Sequence, residues 1–370
     1  MKTRKKILFV IQLPPPVHGA SMVNKMISES LLVNTTFQCK YINLTTAKDV
    51  KDIGKGDIKK LFRSIVIWIK AVKTVMFNRY DLVYMTLSPH GPAFYKDGIL
   101  ALLLKIVGAR LAFHLHGKGV KENSKKGIFK KNLYKWVFRN VEIIHLSPLL
   151  YFDINHLVDK SRVCYVPNGI PNPEENIINK KHQQNNILYL SNLQESKGSF
   201  TLVQAARILK EQSIDFKIDF VGKWHNDPYY KQRLLDYVAK YELVDRVSFH
   251  GPRYGKEKQT YFQNASFFVL PTKNDCFPLS ILEAMSHELP VVSTRQGAIP
   301  EIVEDNYNGF LIDENDPKDL ADALARILSN ESLRKKMGAN SFSKFAANYT
   351  VSKFENNFVN VLNQILEKHT

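Results

Sequence analysis

Phe267-Phe268-Val269-Leu270-Pro271-Thr272-Lys273-Asn274-Asp275-Cys276-Phe277-Pro278-Leu279-Ser280-Ile281-Leu282-Glu283-Ala284-Met285 opens the stretch, residues 267–313, on which the fold is decided. Phe267 to Leu270 is a short apolar run and reads as a buried parallel strand. Pro271 and Thr272 stop it, and a polar loop follows. Leu279 to His287 has apolar residues at helical spacing, Leu279, Ile281, Leu282 and Met285. Pro290-Val291-Val292 starts another strand, and Gly297 to Glu301 reads as the next turn. Strand, loop, helix and strand in this order is the plan of an open α/β sheet, whose ligands sit beyond the carboxyl ends of the strands. The first amides of such a helix lack internal partners and can hold a phosphate. Asp275 in the loop and Glu283 one turn into the helix flank that position. An anion on the amides with hydroxyls on the two acids suggests a sugar nucleotide. Taken without their flanks, Asp275 also reads as a helix cap and Glu283 as a solvated helical acid.

The run Asp275 to Met285, with Pro290-Val291-Val292 and Pro300-Glu301-Ile302-Val303 behind it, resembles the GT4 family of retaining glycosyltransferases. Members show an acid, seven residues, then a Glu followed by Ala-Met. Two positions depart from that pattern. The first acid is Asp275 where the family usually has Glu, and Glu288 stands where it usually has Gly. If the helix ends there in a left-handed residue, a non-glycine costs about 1 kcal/mol, so a differently built turn is expected.

The resemblance implies an α/β chain of GT-B fold: two Rossmann-like doubly wound domains facing a cleft, with a C-terminal helix crossing back to the first. Expected domains are 1–170, basic and acceptor-binding; 171–350, holding the nucleotide sugar; and a helix over 351–370. Pro167 to Pro173 reads as the hinge, and residues 174–186 as a polar linker. Asn186 to Leu190 opens the second domain, followed by a loop ending Lys197-Gly198. By resemblance Lys197 grips the donor diphosphate. The partner Arg of the family is replaced by Asn192, which brings amide donors but no charge. Arg253 and Arg295 are candidates to supply it. Arg253 lies in the loop expected against the nucleotide base, and Phe277 and Leu279 belong to the donor-binding loop and helix start. Glu283 is expected on ribose hydroxyls and Asp275 on sugar hydroxyls.

The first half is legible more coarsely. Ile7 to Leu13 reads as a strand behind a basic tail, since the apolar run is short and Pro14-Pro15-Pro16 follows without a small-residue cleavage site. The loop after it contains Gly19, matching a family glycine that approaches the diphosphate; a helix is expected from about Met22 to Leu32. Arg110 to His116 reads as a strand on which alternation puts His114 and His116 on one side. His116-Gly117 matches the family's His that points at the donor sugar. No Gly-x-Gly-x-x-Gly follows the first strand, which counts against a nicotinamide oxidoreductase.

The charge is uneven. Residues 1–170 hold 28 of the 52 Lys and Arg but 10 of the 35 Asp and Glu, a formal +18 against +17 for the whole chain. Residues 58–77 read as an amphipathic helix: Ile58, Leu61, Phe62, Ile65, Trp68 or Ile69, Val72 and Met76 on one face, and Lys59, Arg63, Lys70 and Lys73 on another. Its basic face suits anionic headgroups; its apolar face equally suits the domain core. Residues 121–139 read as a second basic helix mixed with Phe129, Trp136 and Phe138. No run is long and apolar enough for a membrane span. Three unpaired cysteines fit a reducing compartment.

The expectation is therefore a cytoplasmic hexosyltransferase at the inner membrane face. It takes a UDP- or GDP-sugar, needs no cofactor or metal, and acts on a lipid-linked or oligosaccharide acceptor in cell-surface polysaccharide synthesis. No specific nucleic acid is expected. The competing reading is a non-catalytic anionic-surface or nucleic-acid binder with a degenerate site, which Asn192 and Asp275 favour.

Overall fold

The computed structural model describes residues 4–45, 58–173 and 185–368, without the side chains of 58–60. Residues 174–184 of the expected linker lie outside the described residues, as does Lys2 of the basic tail. Contacts divide the chain into unit 1, Met1–Gly169 with Val351–Thr370, and unit 2, Ile170–Thr350.

Unit 1 is built from β1 (Lys6–Ile11), α1 (Gly19–Glu29), α2 (Leu31–Thr36), β2 (Gln38–Asn43), α3 (Ile58–Phe77), β3 (Leu82–Thr86), α4 (Gly91–Ile106), β4 (Leu111–Leu115), α5 (Val120–Ser124), α6 (Ile128–Phe138), β5 (Glu142–His145) and β6 (Val163–Tyr165). Its strands are all parallel, in the order β2-β1-β3-β4-β5-β6. Strands β1, β3, β4 and β5 are buried almost throughout, as expected where helices cover both faces. On one face Val10, Met85, Phe113 and Ile143 pack under α3, α4 and α6. On the other, Phe9, Tyr84 and Ala112 pack under α1, α2 and the last helix of the chain.

Unit 2 runs β7 (Asn186–Leu190), α7 (Ser199–Glu211), β8 (Lys217–Val221), α8 (Pro228–Lys240), β9 (Val247–Gly251), α9 (Gly255–Asn264), β10 (Phe267–Leu270), α10 (Leu279–Ser286), β11 (Val291–Thr294), α11 (Ile299–Ile302), β12 (Gly309–Ile312), α12 (Pro317–Leu328) and α13 (Glu331–Asn348). Its sheet is parallel, in the order β12-β11-β10-β7-β8-β9. The last helix, α14 (Val351–Glu367), belongs to unit 1. Phe354, Phe358, Leu362 and Ile365 bury its inner stripe there, and the Arg110 guanidinium donates to the carbonyls of Ile365 and Leu366 near its end.

Several local expectations are corrected. The expected basic helix over 121–139 is two helices, α5 and α6. Gly127, at φ +111°, breaks it in a conformation that side chains resist. The segment 31–43 holds α2 and β2, which its mixed composition hides. Gly297–Glu301 runs into the short α11 rather than a plain turn. The turn after α10 keeps the ordinary left-handed geometry: Glu288 stands at φ +56°, its amide bonds to the Met285 carbonyl, and the Leu289 amide bonds to Ala284. That is a Schellman motif with glutamate in the glycine position, at a cost of about 1 kcal/mol.

Candidate functional site

The site in unit 2 follows from strand order. Chain direction reverses across the sheet between β7 and β10: β8 and β9 lie to one side, β11 and β12 to the other. Loops leaving adjacent strands at such a switch point border the place where open α/β sheets take ligands, beyond the carboxyl edge. Here they are residues 191–198 after β7 and 271–278 after β10. The Ser196 carbonyl accepts from the Lys273 amide at 2.9 Å, the Asn274 amide at 3.3 Å and the Thr272 hydroxyl at 3.1 Å. From below, the hydroxyl of buried Tyr189 donates to the carbonyls of Asn192 and Lys197.

Lys197 Nζ reaches Asp275 Oδ2 at 2.6 Å and the Asn274 carbonyl at 3.2 Å. Both side chains are about four-fifths covered. Asp275 thus makes an ion pair rather than a helix cap. Helix α10 starts directly after the loop, with Pro278 as N-cap and no side chain capping its amides. Leu279 is its first residue. Glu283, on the next turn, pairs with Lys258 Nζ of α9 at 2.5 Å, so it is not a free solvated acid. Lys258 was not legible as a site residue. Nothing in its spacing marks it, and the packing of α9 against this part of the unit creates the contact.

The remaining expected residues are placed differently. Asn192 is exposed, with its carbonyl taken by Tyr189. Arg253 lies 3.8 Å from Glu257 on its own helix turn. Arg295 is engaged by the Leu311 carbonyl and by Asp305 and Asp313, so it does not supply the missing charge to the Lys197 loop. Phe277 is buried, and its ring packs edge-on to Tyr349 with ring centroids 6.0 Å apart.

Gly19 and His116 belong to unit 1. Gly19 is the first residue of α1, at the carboxyl edge of β1, where the strand order of that sheet also reverses. His18 caps the helix: its Nδ1 accepts from the Ser21 amide, and Ser21 Oγ accepts from the His18 amide. Beyond β4, the His116 ring lies tilted against that of His114, centroids 4.0 Å apart, and among the described residues neither of its ring nitrogens has a hydrogen-bond partner. The Asp153 carboxylate accepts the amides of Gly119, Val120 and Lys121 at 2.8–3.0 Å and so pins the loop after His116.

Burial pushes the imidazoles of His114, His116 and His145 down, the latter two to about 3; repulsion from His116 and His145 lowers His114 further, and repulsion from His145 and His18 lowers His116. An unfolded imidazole titrates near 6.5. Each ring therefore takes up a proton on unfolding once the pH falls below that value. Stability is complete above about pH 6.5 and is lost as the pH falls toward 3, at up to about 1.4 kcal/mol per pH unit per ring. Denaturant unfolding at stepped pH is expected to show a proton uptake to which these three rings contribute nearly three protons near pH 5. His116→Gln is expected to remove about one of them; an unchanged uptake would contradict the burial of this ring.

The family model described as Glycosyl transferases group 1 matches residues 172–344. An uncharacterized glycosyltransferase of Methanocaldococcus jannaschii, MJ1178, is 28% identical over 290 residues, covering 77% of this chain and 78% of that one. The putative colanic acid biosynthesis glycosyltransferase WcaL of Escherichia coli K12 is 33% identical over 147 residues, 38% of this chain; the match spans 35% of that relative's length. Among solved structures, Anabaena Alr3699/HepE in complex with UDP superposes with a TM-score of 0.75 at 19% identity, over 97% of this chain and 100% of that one. At that identity the likeness speaks for the fold. The two six-stranded parallel sheets are thus of GT-B type, and unit 2 matches the glycosyl transferases group 1 family model over nearly all of its length.

Proposed function

We propose that this protein transfers a hexose-type sugar, with retention at the anomeric carbon, from a nucleoside diphosphate to a lipid-linked or oligosaccharide acceptor. The observation that carries the reading is the Lys197–Asp275 pair at 2.6 Å, at the switch point of the unit 2 sheet and beside the uncapped start of α10. As the bond from sugar to phosphate breaks, negative charge grows on the leaving diphosphate. The Lys197 ammonium and the amides of Leu279 and Ser280 are a preformed set of donors for that charge. Once phosphate takes Lys197, Asp275 is released to accept from sugar hydroxyls. Glu283 accepts from the ribose. Gly19 lets backbone approach the diphosphate, and neutral His116 offers one donor and one acceptor to the sugar. The acceptor hydroxyl gives its proton to the departing phosphate oxygen. UDP is the preferred nucleotide on the strength of the Anabaena relative, which holds it. The colanic acid relative supports a role in cell-surface polysaccharide assembly.

The location proposed is the inner face of the cell membrane, from the +18 of residues 1–170. Among the described residues no helix is long and apolar enough to cross a membrane. The competing binder reading rests on exposed, uncharged Asn192. Slow hydrolysis of UDP- and GDP-sugars, followed by nucleotide release, separates the two. Turnover of one donor, lowered about 10²–10³-fold in Lys197→Ala, is the expected result. No release from any donor favours the binder.

A further inference from the structure

Helix α3 packs only part of its apolar surface on the core. Its covered side carries Ser64, Ala71 and Thr74, buried, between the larger Ile67, Trp68, Val72 and Val75, which pack partly buried on the core. Small residues let the helix sit close on the sheet. A second set of large apolar side chains points outward: Leu61 is 59% exposed, Phe62 68%, Ile69 50% and Phe77 80%, with Ile65 and Met76 on the same side. Single exposed apolar residues are ordinary; a continuous ridge of them along five turns is not.

The ridge continues sideways. Helix α3 packs on α4, and α4 packs on α6. On α6, Ile128, Phe129 and Trp136 are exposed in turn, and Ile106 at the end of α4 lies 81% exposed. One layer on one face of the unit 1 sheet therefore carries all of these side chains. Lys70 and Lys73 on α3, and Lys131, Lys135 and Arg139 at the end of this chain's basic stretch, are exposed around them.

We infer that the outer surface of α3, continued over α4 and α6, inserts into an anionic bilayer. Its apolar side chains lie below the headgroups and its lysines among the phosphates. This rests on the membrane location proposed above and changes its mechanism. Contact by lysines alone would be purely electrostatic and screened by salt; insertion buries apolar area, which salt does not screen. Charge complementarity selects the occupant. A second copy of the chain would bring the same sign of charge onto this face, whereas an anionic leaflet brings the opposite one. The orientation also follows. The helices run back antiparallel to their strands, so their amino ends, with Leu61, Phe62, Ile128 and Phe129, lie toward the carboxyl edge of the sheet. With this layer flat on the bilayer, that edge and its His116 loop stand at headgroup depth, and a lipid-linked acceptor enters sideways from the leaflet.

The test compares the full chain with Leu61→Ser, Phe62→Ser and Ile69→Ser combined, all exposed positions whose change spares the core. Flotation with phosphatidylglycerol–phosphatidylcholine vesicles at raised salt reads partition, and quenching of Trp136 by brominated acyl chains reads depth. The triple variant is expected to lose binding by a factor on the order of ten or more, while donor hydrolysis in solution stays unchanged. Quenching is expected in the wild type and is expected to fall in Trp136→Phe, where only Trp68 of this layer remains. Equal flotation of both proteins, or binding abolished by salt alone, would overturn the inference. So would lipid-free dimers that the triple variant dissolves, which would make the face a self-association surface. Loss of donor hydrolysis in the wild type, with flotation intact, would instead count against the proposed transferase.

Discussion

Replacing Glu283 with alanine is expected to weaken binding of the donor nucleotide at least about 100-fold, near 3 kcal/mol, because two favourable contacts to a charged group are lost together. Glu283 sits on the second turn of α10 with its side chain about four-fifths covered, and Lys258 Nζ lies 2.5 Å from it. In the variant the ribose hydroxyls lose their acceptor. Lys258 also loses its counter-ion in a place where water reaches it poorly, which adds an unpaired ammonium beside the nucleotide. Two further variants separate these effects. Glu283→Gln keeps the shape and one acceptor oxygen and should lose less. Lys258→Met leaves Glu283 intact and should keep most of the affinity. Titration calorimetry with UDP and with GDP measures all three. If Glu283→Ala binds either nucleotide as tightly as the parent does, Glu283 is not a donor ligand and the role given to α10 fails.

Gly198→Ala is expected to destabilise unit 2 by about 3 kcal/mol or more, through two separate costs. Gly198 stands at φ +74°, left-handed backbone that costs an alanine about 1 kcal/mol. A Cβ there would also lie 1.8 Å from the Pro271 carbonyl oxygen, an overlap that only parting the two loops relieves. Those loops carry Lys197 and Asp275, so stability and the donor site should fail together. Gly255→Ala is the control: φ is +52°, but nothing lies within 4 Å of the new methyl, and about 1 kcal/mol is expected. Denaturant unfolding of both variants, with and without UDP, reads the difference. Equal stability of the two would mean that the close approach of these loops has no energetic weight.

The two predictions draw on different levels of the chain. The spacing of Asp275 and Glu283, and the strand–helix alternation from Asn186 onward, could be read directly, because period, turn residues and flanks are local properties. The same holds for His114 and His116: alternation along one strand puts them on one side, and their rings do meet. Pairing between distant positions was not legible without the resemblance. Lys197 and Asp275 are 78 residues apart and meet only because β7 and β10 are neighbours in the sheet.

Helix α3 marks the boundary most clearly. Its sequence by itself determined that a helix forms over 58–77 and that it has an apolar stripe and a basic one. Periodicity fixes the angle between stripes but not which of them meets the sheet. That choice was made by tertiary packing, where Ser64, Ala71 and Thr74 allow a closer approach to the strands than Phe62 or Ile69 would. In the same way the sequence determined that Glu283 lies one turn into a helix, while only the placement of α9 set Lys258 beside it. Local order is written in neighbouring residues; the partner of a face or of a charge is chosen by segments brought near through the sheet.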